Sequence, residues 1–121
     1  MVKDIVLGAL RMLGMTAEAD ALEADGQTAA ETAEYLRLYN LVAGEIADEY
    51  RRSGFAPAAA LTDGEAEFYG ISPRVLSYGV AAECCITRGL DEASMWDGRY
   101  KAALSLAPRP RATVRARRMY R

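Results

Sequence analysis

Two adjacent cysteines, Cys84 and Cys85, are the side chains best suited to covalent chemistry in this sequence, which contains no histidine. A cysteine nucleophile usually needs a histidine base to form its thiolate. Neighbouring residues of a helix point about 100° apart, so these two thiols cannot form a disulfide without breaking the helix. A zinc site is not expected without histidine or a CxxC motif. We therefore interpret the pair as packing residues in a reduced, cytoplasmic setting and predict no metal and no cofactor.

The carboxylates form the second group with chemical potential. General acid–base catalysis needs a carboxylate whose pKa is perturbed in a pocket. The acidic residues instead recur at helical spacing, which predicts solvated helix faces, and a paired-carboxylate site is the minor alternative. The chain also has no GxGxxG and no P-loop motif. We predict that the protein is not an enzyme. The carboxylates considered are Glu31, Glu34, Glu45, Asp48 and Glu49.

The basic side chains are segregated along the chain. The last fifteen residues, APRPRATVRARRMYR, carry six arginines and no acidic residue. Residues 1–106 carry 9 basic and 17 acidic side chains, so a body of formal charge −8 precedes a segment of charge +6. Pro108 and Pro110 block a helix and favour extended backbone. We therefore predict a helical domain at residues 1–107 and an extended basic C-terminal arm at residues 108–121, called the arm below.

Three uses of the arm are compatible with its composition. Charged termini often only keep a protein soluble. Arginine-rich ends also bind nucleic acid through its phosphates, although the acidic body would be repelled by the same phosphates and no recognition helix stands out. We favour docking on a protein, either the acidic body of a neighbouring copy or another acidic partner, because apolar residues alternate with the arginines. The predicted contacts to such a partner are Arg109, Arg111, Val114, Arg115, Arg117, Arg118, Met119, Tyr120 and Arg121.

The sequence predicts an all-α fold, a small bundle of about four helices that would position these residues. The first spans residues 2–13 and ends at Gly14, whereas the acidic stretch at residues 16–27 is compatible with a loop or a loose helical turn. The long helix spans about residues 28–53, from a capping box of Thr28 and Glu31 to Gly54. Its apolar stripe has three- and four-residue steps. The stripe consists of Tyr35, Leu38, Tyr39, Val42, Ile46 and Tyr50, and Leu36 and Leu41 lie beside it.

A long loop at about residues 54–71 precedes two shorter helices, and its Asp63-Gly64 pair favours a short hairpin. The next helix has Ser72 as N-cap, Pro73 at its first position and Gly89 as its end. Its predicted face consists of Val75, Tyr78, Ala82, Cys85 and Ile86, and the small residues Gly79, Ala81 and Ala82 permit close approach of another backbone. The last helix is predicted to begin at an Asp91 cap and to end at Pro108, with an exposed pair of Asp97 and Lys101.

The predicted core combines the stripes of these helices. The seven tyrosines of the chain suit either the edge of a core or a protein interface. No window of about 20 apolar residues exists, so we predict no membrane span. The residues predicted to pack the core are Tyr35, Val42, Ile46, Tyr78, Trp96, Tyr100 and Leu104.

Two segments, LYNLVAGEIADEY and LSYGVAAECCITRGLDEASMWDGRYKAAL, together with the basic end and its aromatic residue, resemble the head–tail connector (adaptor, or head-completion) proteins of tailed phages. The resemblance covers about residues 33–121 and is weaker before residue 26. Its most specific part is the run from Tyr78 to Glu83 that leads to Leu90, Trp96 and Tyr100.

This resemblance implies a structural protein of the virion. Connectors are helical bundles with one long helix, and they form rings, commonly of twelve copies, beneath the portal at the capsid vertex. The ring extends the DNA channel, contacts the passing DNA non-specifically and gives neck and tail-completion proteins a docking surface. C-terminal extensions in the family reach the portal, and the arm stands at that place. The location implied is the neck of a virion assembled in the host cytoplasm, with no membrane partner.

The charge pattern agrees with that role. An acidic channel lining repels DNA and prevents it from sticking, whereas a basic lining would trap it. The acidic body can therefore face the channel while the basic arm binds protein. The competing interpretation is a small helical DNA-binding or regulatory protein that uses its arginine-rich end on DNA.

Overall fold

The computed structural model describes residues 1–49, 55–63 and 71–106, which form five helices and no strand. These are α1 (Val2–Met12), α2 (Thr16–Glu23), α3 (Ala29–Glu49), α4 (Pro73–Arg88) and α5 (Ala93–Ser105). The prediction of a small all-α bundle with one long helix is confirmed. The predicted last turn of the long helix, its Gly54 end, the Gly64 half of the hairpin and the whole arm lie outside the described residues.

α1 packs one face against the rest of the bundle and ends where the sequence predicts. Gly14 has a φ of +74°, a left-handed conformation that glycine adopts without strain. An apolar face of Val6, Ala9, Leu10 and Leu13 is predicted from the sequence; the observed face also includes Val2 and Ile5, whereas Leu13 is only half-buried. The buried residues of α1 are Val2, Ile5, Val6, Ala9 and Leu10.

α2 is the element that the sequence pattern left open between a loop and a helical turn. It buries Ala19 and Leu22 against the core. Two apolar positions in an alanine-rich stretch are a weak sequence signal for a helix. Its exposed side is held to α1, because Arg11 bridges Asp20 at 3.2 Å and Glu23 at 2.7 Å. Docking to α1 therefore explains why this short acidic segment is helical.

α3 begins with the predicted capping box. The Thr28 N–H donates to Glu31 Oε1 at 2.9 Å, and the Glu31 N–H donates to Thr28 Oγ1 at 3.0 Å, so two backbone donors at the helix start are satisfied. The predicted stripe is buried from Tyr35 to Ile46. Leu41, which lies beside the stripe, is 47% exposed.

α4 is the central helix and packs against α1, α3 and α5. Its N-cap is Ser72, Pro73 opens it, and Gly89 ends it with a φ of +67°. Gly79 allows the closest approach: a Cβ added there would lie 2.6 Å from Val42 Cγ1 and 2.9 Å from Tyr100 Cε1. Ile86 was predicted for the buried face but is 57% exposed, because it points about 100° away from the buried Cys85 and lies one turn after the half-buried Glu83, at the edge of the covered face.

α5 runs back along α4 as the second helix of a hairpin. Its N-cap is Glu92 rather than the predicted Asp91, and Trp96 and Tyr100 are buried. Leu104 was predicted as a core residue and is half-buried. Of the other predicted core residues, Tyr35, Val42 and Ile46 are buried, whereas Tyr78 is half-buried against the core.

The described part of the long loop, residues 55–63, is attached to the bundle by hydrogen bonds. Asn40 donates from Nδ2 to the Ala58 carbonyl at 3.0 Å and accepts from the Ala58 N–H at 2.8 Å. The carbonyls of Leu61 and Asp63 accept from the N–H groups of Lys3 and Val2, at the start of α1, at 3.0 and 3.1 Å. This part of the loop therefore completes the first turn of α1, whose backbone donors have no partner within the helix.

Candidate functional site

The cysteines are placed as packing residues. Cys84 and Cys85 are buried free thiols on α4. Burial raises the pKa of Cys84 to about 11 and also raises the pKa of Cys85. A thiol with a raised pKa is a poor nucleophile, because the thiolate is the reactive form. Within residues 1–49, 55–63 and 71–106, no group of three or more histidine, cysteine or acidic side chains could hold a metal ion.

A polar cluster joins α2, α3 and α4 around Arg88, near the end of α4. Arg88 donates to both carboxylate oxygens of Glu18, at 2.8 and 2.7 Å, and to Oε1 of Glu34. The hydroxyl of Tyr35 donates to Glu18 as well. Sequence reasoning missed this cluster, because its hydrogen-bonded pairs are 17 to 70 residues apart and the spacing of Glu34 is that of a solvated helix face.

The electrostatics of this cluster favour its charged form. The hydrogen bond from Arg88 lowers the pKa of Glu18. Burial and the bond to Glu18 raise the pKa of Tyr35, and the bond to Glu18 raises the pKa of Arg88. Arg88 is thus a permanent cation that favours the ionised form of Glu18 and also hydrogen-bonds Glu34, an arrangement that fixes helices rather than one that transfers protons.

An arginine–aromatic face lies across α4 and α5. The guanidinium of Arg74 lies 5.6 Å from the ring centroid of Tyr78, and that of Arg99 lies 5.2 Å from the Trp96 ring. The two rings are 6.2 Å apart, between centroids. Arg74 also donates from Nε to the Tyr78 hydroxyl at 2.9 Å. We call Arg74, Tyr78, Trp96 and Arg99 the arginine–aromatic face.

Neither arginine of this face has a carboxylate within ion-pair distance among the described residues, and both are exposed. Met95, one turn before Arg99 on α5, is 45% exposed and extends the face with apolar surface. Arginine, tryptophan and tyrosine are the residues most enriched at the energetic centres of protein interfaces. The face therefore has the composition of a binding surface.

An acidic face gathers carboxylates from α3, α4 and α5. Burial and the charges of Glu45 and Asp97 raise the pKa of Glu83, so Glu83 feels the negative charge of a carboxylate on α3 and of another on α5. Asp48 follows Glu45 by one turn of α3 and is exposed. We call Glu45, Asp48, Glu83 and Asp97 the acidic face.

Two cations border the acidic face. Lys101 pairs with Asp97 at 3.0 Å, as predicted from their spacing. The positive charge of Arg37 partly offsets the rise in the pKa of Glu83, and Arg37 donates to Thr87 Oγ1 at 3.4 Å. The exposed apolar side chains Leu41 and Ile86 lie one turn from Glu45 and Glu83 respectively. Carboxylates remain in excess on this face.

An open cavity of about 360 Å³ lies between the start of α1 and the start of α4. Its polar groups are Asp4, Arg74 and Ser77, and the Ser77 hydroxyl already donates to the Ile5 carbonyl at 2.9 Å. Among the described residues that line the cavity, no nucleophile is paired with a base.

The residues predicted to contact a partner, from Arg109 to Arg121, lie outside the described residues, so their predicted role stays a prediction. Of the seven tyrosines, Tyr35, Tyr39 and Tyr100 are buried and Tyr78 is half-buried, whereas Tyr50, Tyr69 and Tyr120 lie outside the described residues.

Among the described helices, none has the length and apolar character that would let it cross a bilayer. Comparison with family models, with curated proteins and with solved structures finds no match for this chain.

Proposed function

We propose that this protein is a structural component of a tailed-phage virion, a head–tail connector that forms a ring beneath the portal. In this role it extends the DNA channel and offers neck and tail-completion proteins a surface on which to dock. It works as an assembly element in the virion neck, after synthesis in the host cytoplasm, and contacts DNA only non-specifically.

The observation that carries the proposal is the separation of charge between body and arm. The described residues contain 7 basic and 15 acidic side chains. Four of the seven cations, Lys3, Arg11, Arg88 and Lys101, form ion pairs with carboxylates of the same body. The body therefore presents mainly negative charge, which repels DNA phosphates, whereas the six arginines of the arm suit an acidic protein surface.

The residues that carry the resemblance to connectors support the proposal through their packing. They form the hairpin of α4 and α5, in which Gly79 approaches Tyr100 and Tyr78 lies against Trp96. The close fit of the two helices therefore explains why a small residue and aromatic residues stand at these positions. A long helix, α3, packs beside this hairpin, as the family resemblance implies.

The second candidate is a small helical DNA-binding or regulatory protein. The observation that favours it is the arginine–aromatic face, because arginines beside aromatic rings also bind single-stranded nucleic acid by stacking and phosphate contact. The excess of carboxylates on the body opposes it.

The experiment that separates the two candidates measures mass and DNA binding on the full chain. A connector is expected to form a cyclic assembly, seen by light scattering and electron microscopy, alone or on added portal protein. It should not bind duplex DNA at physiological salt. A monomer or dimer that binds duplex DNA under these conditions, and that forms no ring on portal protein, would contradict the proposal.

A further inference from the structure

The arginine–aromatic face and the acidic face lie on opposite sides of the hairpin formed by α4 and α5. Successive residues of a helix are about 100° apart. Arg74 and Glu83, nine residues apart on α4, therefore point about 180° apart. Arg99 and Asp97, two residues apart on α5, point about 160° apart. On each helix, the arginine and the carboxylate therefore point in nearly opposite directions.

We propose that copies of this chain associate head to tail, with the arginine–aromatic face of one copy against the acidic face of the next. This inference rests on the proposed function and deepens it, because it names the surfaces that would join neighbours in the ring. The occupant of each face is a second copy of the same chain.

Charge complementarity is the first argument for this pairing. Arg74 and Arg99 bring two cations without carboxylate partners in the described body. The opposing face carries four carboxylates, of which only Asp97 has an ion pair within the described residues. An approaching cation relieves the repulsion that Glu83 experiences from Glu45 and Asp97. The exposed Met95 on one face and Leu41 and Ile86 on the other supply apolar surface, which interfaces bury beside their charged groups.

The arrangement of the faces is the second argument. A two-fold dimer needs one self-complementary surface, whereas a ring needs two different surfaces on each copy that match each other. Two arginines would repel each other across a two-fold axis, and so would two acidic faces. Opposite signs on opposite sides of one hairpin instead favour a head-to-tail contact.

Charge reversal tests the proposal. The variant Arg74→Glu/Arg99→Glu makes both faces negative, and Glu45→Lys/Asp48→Lys adds positive charge to the acidic face through two exposed positions. We expect each variant alone to self-associate at least about tenfold more weakly than the wild type, because like charges then meet at the contact. Asp91→Lys, in the turn between α4 and α5 and outside both faces, is the matched control and should self-associate as the wild type does.

Mixing the two variants gives the sharper result. Their altered faces have opposite signs, so an equimolar mixture should associate more tightly than either variant alone, as measured by sedimentation velocity over a concentration series. Circular dichroism verifies that each variant is folded. A wild type that stays monomeric at every concentration and also on added portal protein, or variants that associate as the wild type does, would overturn the inference.

The outcome for this contact is distinguishable from the outcome for the proposed function. A wild-type ring that the charge reversals leave intact refutes the contact and keeps the connector. Loss of single-stranded DNA binding in Arg74→Glu/Arg99→Glu, with no effect on self-association, assigns the arginine–aromatic face to nucleic acid and refutes the contact as well.

Discussion

Arg88 donates from both terminal nitrogens to the two carboxylate oxygens of Glu18, at 2.8 and 2.7 Å, and so ties α2 to the end of α4 across 70 residues of sequence. Both side chains are mostly covered, with 26% and 20% of their surfaces exposed. A bidentate pair in such a position is worth more than an exposed one, because solvent screens it less.

Replacing Arg88 with alanine should lower the free energy of unfolding by about 2 kcal/mol, the usual worth of hydrogen bonds between charged groups. A double-mutant cycle with Glu18→Ala, measured by chemical denaturation, should show a clear coupling between the two residues. The matched control is Lys101→Ala, whose exposed pair with Asp97 should leave stability unchanged within error. Additive effects of Arg88→Ala and Glu18→Ala would refute the role of this pair.

The same pair predicts a dependence of stability on pH. Because the hydrogen bond from Arg88 lowers the pKa of Glu18 below its ordinary value of 4.5, the folded state favours the ionised carboxylate. The stabilisation is complete above the ordinary value and is lost as the pH falls through the lowered one. The difference in unfolding free energy between wild type and Glu18→Gln should therefore shrink as the pH falls below 4.5. A difference that stays constant between pH 7 and pH 3 would contradict the assignment.

The contact of α4 with α3 and α5 at Gly79 should not tolerate a methyl group. Alanine is favoured over glycine in a helix by about 1 kcal/mol, but its Cβ would overlap Val42 Cγ1 and the Tyr100 ring, both of which are stiff side chains. We expect Gly79→Ala to lower the melting temperature, with a net loss of about 1–2 kcal/mol. Gly98→Ala, on α5 with nothing within 4 Å of the added Cβ, is the control and should raise it.

Trp96 should contribute strongly to the stability of the hairpin. Trp96→Ala removes a buried ring that lies beside Tyr78, and we expect a loss of about 3–5 kcal/mol. Leu104→Ala, at a half-buried position on the same helix, should cost clearly less. Thermal unfolding at low protein concentration keeps any effect on self-association out of the comparison. A Trp96→Ala protein that melts like the wild type would show that α5 is packed differently.

Much of the fold follows from local patterns in the sequence. The capping box at Thr28, the positive φ at Gly14 and Gly89 and the stripe from Tyr35 to Ile46 each depend on chemistry within a few residues. These local features appear in the fold as predicted, because tertiary contacts do not override them. The close approach at Gly79 was also expected from its small neighbours.

The contacts that bring distant segments together were not predictable in the same way. The cluster at Arg88 joins three helices, and α2 depends on its docking to α1 rather than on its own weak apolar pattern. Ile86 has the spacing of a core residue but is exposed, because the side of α4 that is covered depends on where the other helices pack. The two proposed interaction faces likewise appear only when α3, α4 and α5 are packed together.

We propose that this acidic helical body joins the head of a phage through its basic arm. The most direct measurement is the occupancy of the protein on portal-bearing heads, compared between the full chain and a chain without residues 108–121. Arg115→Ala/Arg117→Ala/Arg118→Ala provides an intermediate variant, and Asp91→Lys, outside both faces of the body, is the control. Circular dichroism should show that all of them are folded, because surface changes away from core and caps cost little.

The account predicts wild-type occupancy for the control, weakened attachment for the triple variant and no incorporation of the truncated chain. The heads should then fill with DNA, leak it and fail to join tails. A truncated chain that enters the virion neck at wild-type occupancy would contradict the account.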